Sequence, residues 1–146
     1  MQPKILPSQF TTFGESDDPV AKYLLVGQTT DGTPTEIFLD GIPDARLVLE
    51  DNSSYNFIVT VVARRTDSGS EVAGYTRSGV MKRDSGVGTT ALVGPVVDVM
   101  TNENTAAWDV TITADTTNGS GKLVVTGVGG STITWLAVVQ LIGFVL

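Results

Sequence analysis

Residues 55–65 of the chain read Tyr-Asn-Phe-Ile-Val-Thr-Val-Val-Ala-Arg-Arg. Every second residue from Tyr55 to Ala63 is apolar, and these residues alternate with Asn56, Ile58, Thr60, Val62 and Arg64. A period of two is typical of a β-strand that buries one face. The stretch therefore predicts a strand over 55–65.

The same alternation recurs on both sides of this stretch, separated by short clusters of Asp, Asn, Ser and Gly that are typical of turns. The predicted strands are 22–28, 35–39, 46–50, 55–65, 71–83, 90–93, 96–100, 106–114, 122–126 and 132–146. No segment has the period of an amphipathic helix. The pattern predicts an all-β fold, an antiparallel β-sandwich or barrel-like body of about eight to ten short strands.

The first twenty residues differ from the rest, because they contain three prolines and follow neither period. We divide the chain into an extended N-terminal arm at 1–20, without regular structure, and a single sandwich domain at 21–146. A disordered tail is one interpretation of the arm. The other is an arm that docks on a neighbouring subunit through its apolar residues Ile5, Leu6, Phe10 and Phe13.

The last predicted strand is apolar on both faces from Leu136 to Leu146, apart from Gln140 and Gly143. A strand needs only one apolar face to pack on its own core, so its second face must meet another layer. A central strand covered by its own domain explains the pattern, and a contact between copies of the chain also explains it. The interface hypothesis assigns Leu141, Ile142, Phe144 and Leu146 to that contact.

Composition excludes several functional classes. The chain of 146 residues has no His and no Cys, which removes disulfides and the imidazole and thiolate ligands of common metal sites. It also removes the usual base of nucleophilic catalysis, whereas carboxylate dyads, Ser–Lys pairs and oxygen-ligand cation sites stay open. A net charge of −7 disfavours nucleic acid as a partner. We predict no cofactor, no metal, no catalytic residue and no enzymatic activity.

Four local patterns have a functional interpretation and a more ordinary structural one. The glycines at 127–130 precede a strand, so a hairpin turn explains them better than a phosphate site does. The Asx clusters at 102–104 and 115–118 lack the spacing of a calcium loop. A basic band is divided between opposite strand faces, which favours solvated or ion-paired side chains; its members are Arg64, Arg65, Arg77, Lys82 and Arg83. The carboxylates fall mostly in turns, and no glycosidase pair is indicated.

Neither end of the chain predicts a membrane segment. Residues 1–7 lack a basic run followed by an apolar core, which predicts no signal peptide. The apolar stretch 135–146 is too short for a membrane helix. We expect no membrane partner.

The ordered pieces of the chain between residues 30 and 140 resemble a small β domain of bacteriophage virion proteins. The matching pieces are Thr35-Glu-Ile-Phe-Leu-Asp-Gly41, Arg46-Leu-Val-Leu-Glu-Asp-Asn-Ser53, Val61-Val-Ala-Arg-Arg65, Ala73-Gly-Tyr75, Gly79-Val-Met-Lys-Arg83, Trp108-Asp-Val-Thr-Ile-Thr-Ala-Asp115, Leu123-Val-Val-Thr-Gly127 and Thr134-Trp-Leu-Ala-Val138. The resemblance implies a structural role, trimerisation and no catalytic residues.

Two functions follow from this resemblance, and a third, enzymatic one is weighed beside them. The arm and the apolar last strand favour a trimeric head decoration (cement) protein. Such a protein binds the major capsid protein or other virion subunits on the outer head surface and stabilises the head. The alternative is a tail-fibre or receptor-binding tip domain that recognises a host surface glycan. A carboxylate-dependent depolymerase is a third, less favoured reading. The first two place the protein in a virion assembled in the host cytoplasm.

Overall fold

The computed structural model describes residues 4–5 and 20–146. In chain order the strands are β1 (Lys4–Ile5), β2 (Val20–Thr29), β3 (Thr35–Glu36), β4 (Phe38–Leu39), β5 (Leu47–Val48), β6 (Ser53–Arg65), β7 (Val72–Arg83), β8 (Ala91–Leu92), β9 (Val97–Glu103), β10 (Asp109–Asp115), β11 (Ser120–Thr126) and β12 (Ile133–Val145). Helical structure in these residues is limited to a 3₁₀ turn at Val87–Thr89, so none of it could cross a membrane.

The strands form two sheets. The large sheet has the order β4-β2-β12-β6-β7, and β7 then pairs with both β8 and β9. The small sheet has the order β1-β5-β11-β10, with β3 also on β11. All pairings are antiparallel except that of β1 with β5. The predicted all-β fold of antiparallel sheets is therefore confirmed.

The core lies between the two sheets, where alternation along each long strand turns one set of side chains inward. On β6 the inward residues are the alternate apolar ones from Tyr55 to Ala63, all at most 4% exposed. The indole of Trp135 stands between Trp108 and Tyr75, with ring centroids 5.9 and 6.4 Å away. Its Nε1 donates a buried hydrogen bond of 2.9 Å to Thr29 Oγ1. The indole N–H thus has a partner in the sealed interior.

The last strand is central rather than peripheral. β12 pairs with β2 along ten residues and with β6 along thirteen. Leu141, which the interface hypothesis assigned to a contact between copies, lies in the core at 7% exposure. The apolar inner face of β12 is thus covered by its own domain.

The N-terminal arm at 1–20 stays a prediction, because the structure describes only residues 4, 5 and 20 of it. Lys4 and Ile5 pair in parallel with Leu47 and Val48 of β5, and β2 begins at Val20. The pairing of β1 depends on an edge of the small sheet that is remote in sequence. A local period could not reveal it.

Candidate interaction surface

The outward face of the large sheet is built by β2, β12, β6 and β7, and we call it the outer face. Strand register sets its rows: Leu136 lies opposite Val26 on one side and Val62 on the other. In the next row Val138 lies between Leu24 and Thr60. Because directly opposed side chains on one sheet face touch, these rows form a continuous apolar strip across the central strands.

The outer face is unusually apolar for a surface in contact with water. Nine of its apolar residues, counting the continuation onto β9, are between 37% and 53% exposed: Leu24, Ile58, Val62, Val72, Val97, Met100, Leu136, Val138 and Ile142. Together they leave on the order of 700 Å² of apolar residues in water, above the few hundred Å² of the usual largest patch on a monomer. A patch of this size is typical of a surface that another molecule covers.

The small sheet shows the opposite character on its outward face. There β10 presents Asp109, Thr111 and Thr113 to solvent, while Val110 and Ile112 point into the core. This is the alternation of a sheet with one solvated face. The contrast shows that the apolar outer face is a property of the large sheet alone and not of the whole surface.

Charge distinguishes the outer face as well. At the outward positions of its four strands the charged residues are Lys22, Arg64 and Lys82, and none is a carboxylate. Lys82 forms an ion pair of 2.9 Å with Asp84 at the end of the sheet. Since the chain carries sixteen acidic residues, the absence of carboxylates from this face separates it from the rest of the molecule.

The free edge of the large sheet beside this face is formed by β9. The strand has a bulge at Val99, where the register with β7 shifts between Thr76 and Arg77. The buried Arg77 guanidinium donates to Asp98 Oδ1 at 2.6 Å and to the Met100 carbonyl at 2.8 Å. A bulge and an inward charge are features that protect an edge strand from pairing with another chain. The edge is therefore less suited to association than the face.

The structure places the predicted interface residues at different sites. Ile142 and Phe144 belong to the outer face, where Ile142 is 42% exposed and Phe144 is half-buried. Leu146 is 91% exposed, and its N–H donates to the Asn52 carbonyl. Of the predicted arm anchors, the backbone of Ile5 lies in β1, whereas Leu6, Phe10 and Phe13 lie outside the described residues.

Sequence reasoning found β12 but missed most of the face. Leu24, Val62 and Leu136 lie on this face, and none was assigned to an interface. A signal was present in β6, where Ile58 and Val62 occupy outward positions of a strand whose inward positions are already apolar. The same test that singled out the last strand would have found them.

Four of the five residues of the basic band, and residues of both Asx clusters, have structural partners within the chain. Arg65, Arg77, Lys82 and Arg83 each form an ion pair with a carboxylate. In the loop at 115–118, Asp115 accepts hydrogen bonds from the backbone of Thr117 and Asn118 and from the Asn118 amide. The pKa of Asp115 is lowered, because these bonds and the nearby Arg46 outweigh the upward effect of its burial.

In the loop at 102–104 the Asn104 side-chain oxygen accepts a hydrogen bond from the Val72 N–H. Within residues 4–5 and 20–146, no group of three or more metal-ligating side chains is assembled.

The shifted pKa values move away from neutrality. Burial raises the pKa of Tyr23 and of Tyr55 to about 12. Burial and the hydrogen bond to Glu103 also raise the pKa of Tyr75. The Arg65 guanidinium lowers the pKa of Asp67 to about 2, with help from the Thr132 N–H. Groups shifted in these directions keep their ordinary charge near pH 7, as structural groups do.

Among the described residues, a small apolar cavity of about 60 Å³ lies between the sheets. Its lining includes Phe57, Met81 and Leu141, and Gly121 of β11 forms part of its wall. The volume is below the roughly 150 Å³ of an engineered cavity that holds benzene. It is a packing gap rather than a ligand site.

Two phage tailspike proteins are among the solved structures that are similar to this chain. No family model matches the chain, and no curated protein sequence matches it either. The tailspike protein of Acinetobacter baumannii phage AM24 is 11% identical with a TM-score of 0.48, covering 88% of this chain and 26% of its own. The tailspike protein of Acinetobacter phage vB_ApiP_P1 is 14% identical with a TM-score of 0.36, covering 98% and 25%. The chain thus spans about a quarter of the length of either tailspike.

Proposed function

We propose that this chain is a structural module of a bacteriophage tail, repeated around the axis of a homo-oligomer, most simply a trimer. The observation that carries the proposal is the two-sided sandwich, which has one solvated outward face and one apolar outward face. A module of this construction is a building block, because its apolar face is stable only when another part of the particle covers it. The sequence resemblance to phage virion β domains supplies the kind of particle.

The choice of tail over head rests on the N-terminal residues. Head decoration, the function that the sequence favoured first, depends on an arm that leaves its own domain and reaches a neighbour. Ile5 was named as an anchor of that arm, but its backbone pairs with Val48 of the same chain. Lys4 and Ile5 therefore lie against their own small sheet, which supports the tail interpretation over the decoration interpretation.

Within a tail, the described residues favour a body module over a sugar-binding tip. Sugar recognition commonly uses exposed aromatic rings, yet Tyr75, Trp108 and Trp135 are at most 2% exposed. Phe38 is half-buried under the Arg46 guanidinium, 5.0 Å from its ring centroid. The glycan contact proposed for a receptor-binding tip would therefore need a platform other than these rings.

Two measurements on particles test the proposal. Phage particles are disrupted, heads and tails are separated on a density gradient, and peptides of this chain are quantified by mass spectrometry in each fraction. The proposal requires the chain in the tail fraction at a constant ratio to a tail protein. Recovery with heads would restore the decoration reading, and absence from both fractions would refute a virion role.

A separate assay addresses activity. Purified protein is incubated with host surface polysaccharide, and the polymer's size is followed by gel filtration. We expect no change in size. Shortened polymer would contradict the prediction that the chain is not an enzyme and would support the depolymerase reading.

A further inference from the structure

We propose that the outer face of the large sheet packs against the outer face of further copies of this chain. The inference deepens the proposed function and rests on it, since it names the partner that the module meets in the particle. Its centre is Val62, Leu136 and Val138, three outward side chains on the two middle strands of the sheet.

The exposed area is the first argument for a stable contact between copies. The outer face offers on the order of 700 Å², close to the ~800 Å² that each partner buries in a standard interface. At this size, contact with one further copy, or with two further copies around an axis, is enough to cover the apolar residues of the face. Additional partners are not needed to cover it.

Charge is the second argument, and it selects a second copy. A chain with a net charge of −7 repels its own copies through most of its surface. The outer face is the side where two copies bring no carboxylates together. Its cations Lys22 and Arg64 lie toward opposite ends of the strands, in the rows of Gln140 and Thr134. Long side chains there can extend to the rim and reach the acidic surface of the neighbour.

The polar residues of the face are the third argument. The face carries the hydroxyl groups of Thr60, Thr76 and Ser78 and the side-chain amide of Gln140. Each of these groups can both donate and accept a hydrogen bond. When identical surfaces meet, such groups can pair with their own counterparts, whereas a cluster of one charge cannot. The face is therefore self-complementary in its apolar and its uncharged polar residues, while its three cations lie toward the ends of the strands.

The first test is a change of mass in solution. Val62→Lys combined with Val138→Lys places two charges at the centre of the face, where both native side chains are exposed and the fold can tolerate the change. Sedimentation equilibrium should give an oligomer for the wild type and the 15.3 kDa monomer for the variant. We expect the association constant to fall at least about 100-fold, because an unpaired charge would be buried.

The matched control carries the same charge on the other sheet. Thr111→Lys combined with Thr113→Lys adds two lysines to exposed positions of β10, and this variant should remain oligomeric. Fluorescence of the buried Trp108 and Trp135 reports the folded core in every variant. The proposal is overturned if the wild type is monomeric at a concentration of about 100 µM. It is also overturned if the variant with Val62→Lys and Val138→Lys remains oligomeric.

A second measurement uses the absence of cysteine from the chain. Leu136→Cys and Thr111→Cys each introduce a single thiol, one on the outer face and one on the small sheet. We expect a thiol reagent to modify the Leu136→Cys protein at least about tenfold more slowly than the Thr111→Cys protein at high concentration, with the difference vanishing on dilution to monomer. Equal rates at high concentration refute the interface. Loss of the interface with the chain still present in tails would leave the proposed tail location standing and make a foreign tail protein the occupant of the outer face.

Discussion

Replacing Gly143 by alanine tests how closely the last strand packs against β6. Gly143 lies opposite Tyr55 in the register. A Cβ there would overlap the Ser54 carbonyl oxygen and the Tyr55 ring, and would lie 3.0 Å from Tyr55 Cα. Two of these neighbours are backbone atoms of β6, which is held on its other side by β7. The methyl group therefore cannot be accommodated by a side-chain rotation.

The expected loss of stability follows from the backbone hydrogen bonds that must break to make room for the methyl group. To relieve the overlap, the end of the β12–β6 ladder must open, and the three final residue pairs from Gly143 to Val145 lie there. Losing about two backbone hydrogen bonds at ~1 kcal/mol each, together with strain around a buried ring, gives a total of about 2–4 kcal/mol. With a urea m-value of roughly 2 kcal/mol/M, the midpoint should fall by about 1–2 M.

The assay is urea unfolding followed by the fluorescence of the buried tryptophans, at one protein concentration because association also contributes to stability. Gly129→Ala is the matched control, since a Cβ at Gly129 meets nothing within 4 Å. That variant should be neutral or more stable by up to about 1 kcal/mol. A Gly143→Ala protein within about 0.5 kcal/mol of the wild type would refute the close-approach argument, given the size of the overlap.

Three further substitutions test the interior and one surface cluster. Gly121→Ala should stabilise the fold by about 0.5–1 kcal/mol in the same urea assay. The added methyl group would lie at ordinary contact distance from Met81, which lines the cavity. A loss of stability would mean that the cavity has no room for the methyl group. Thr29→Val keeps the shape but removes the acceptor of the buried Trp135 N–H, so it should lower stability by about 1–3 kcal/mol, and an unchanged midpoint would contradict that bond. Arg65 lowers the pKa of Asp67 to about 2 in the folded protein. The contribution of Asp67 to folding stability is therefore present above its pKa in the unfolded chain, near 4, and is lost as the pH falls toward 2. In thermal melts, the Asp67→Asn protein should be less stable than the wild type at pH 7 and equally stable near pH 2. A difference that persists at pH 2 would contradict a stabilising role of the ionised Asp67 carboxylate.

The sequence predicted the strands well where a local period was strong. The stretch at 55–65 lies within β6, and the one at 71–83 contains β7, because alternation over ten or more residues reflects burial of one face directly. Short strands were placed less well. The prediction at 35–39 became two separate strands, β3 and β4, which pair with different sheets. Their partners are distant in sequence and leave no local pattern.

The candidate surface was only partly visible before the fold was known. The apolar last strand correctly indicated a second apolar face, yet sequence could not tell which of its residues point inward. Leu141 and Ile142 are neighbours, and the register sends the first into the core and the second to the outer face. Residues on opposite sides of a strand are distinguished only by where the other sheet lies.

What the sequence determined by itself is the class of the protein: alternating apolar residues and turn-forming Asp, Asn and Gly specify strands, and the missing His and Cys remove whole classes of chemistry. These properties depend on residue type and spacing along the chain. What only the tertiary structure decided is the outer face, because its residues come from strands β2, β6, β7 and β12 that lie far apart in sequence. Hydrogen-bonded register brings Leu24, Val62, Leu136 and Val138 into one surface, and no sequence period records that pairing.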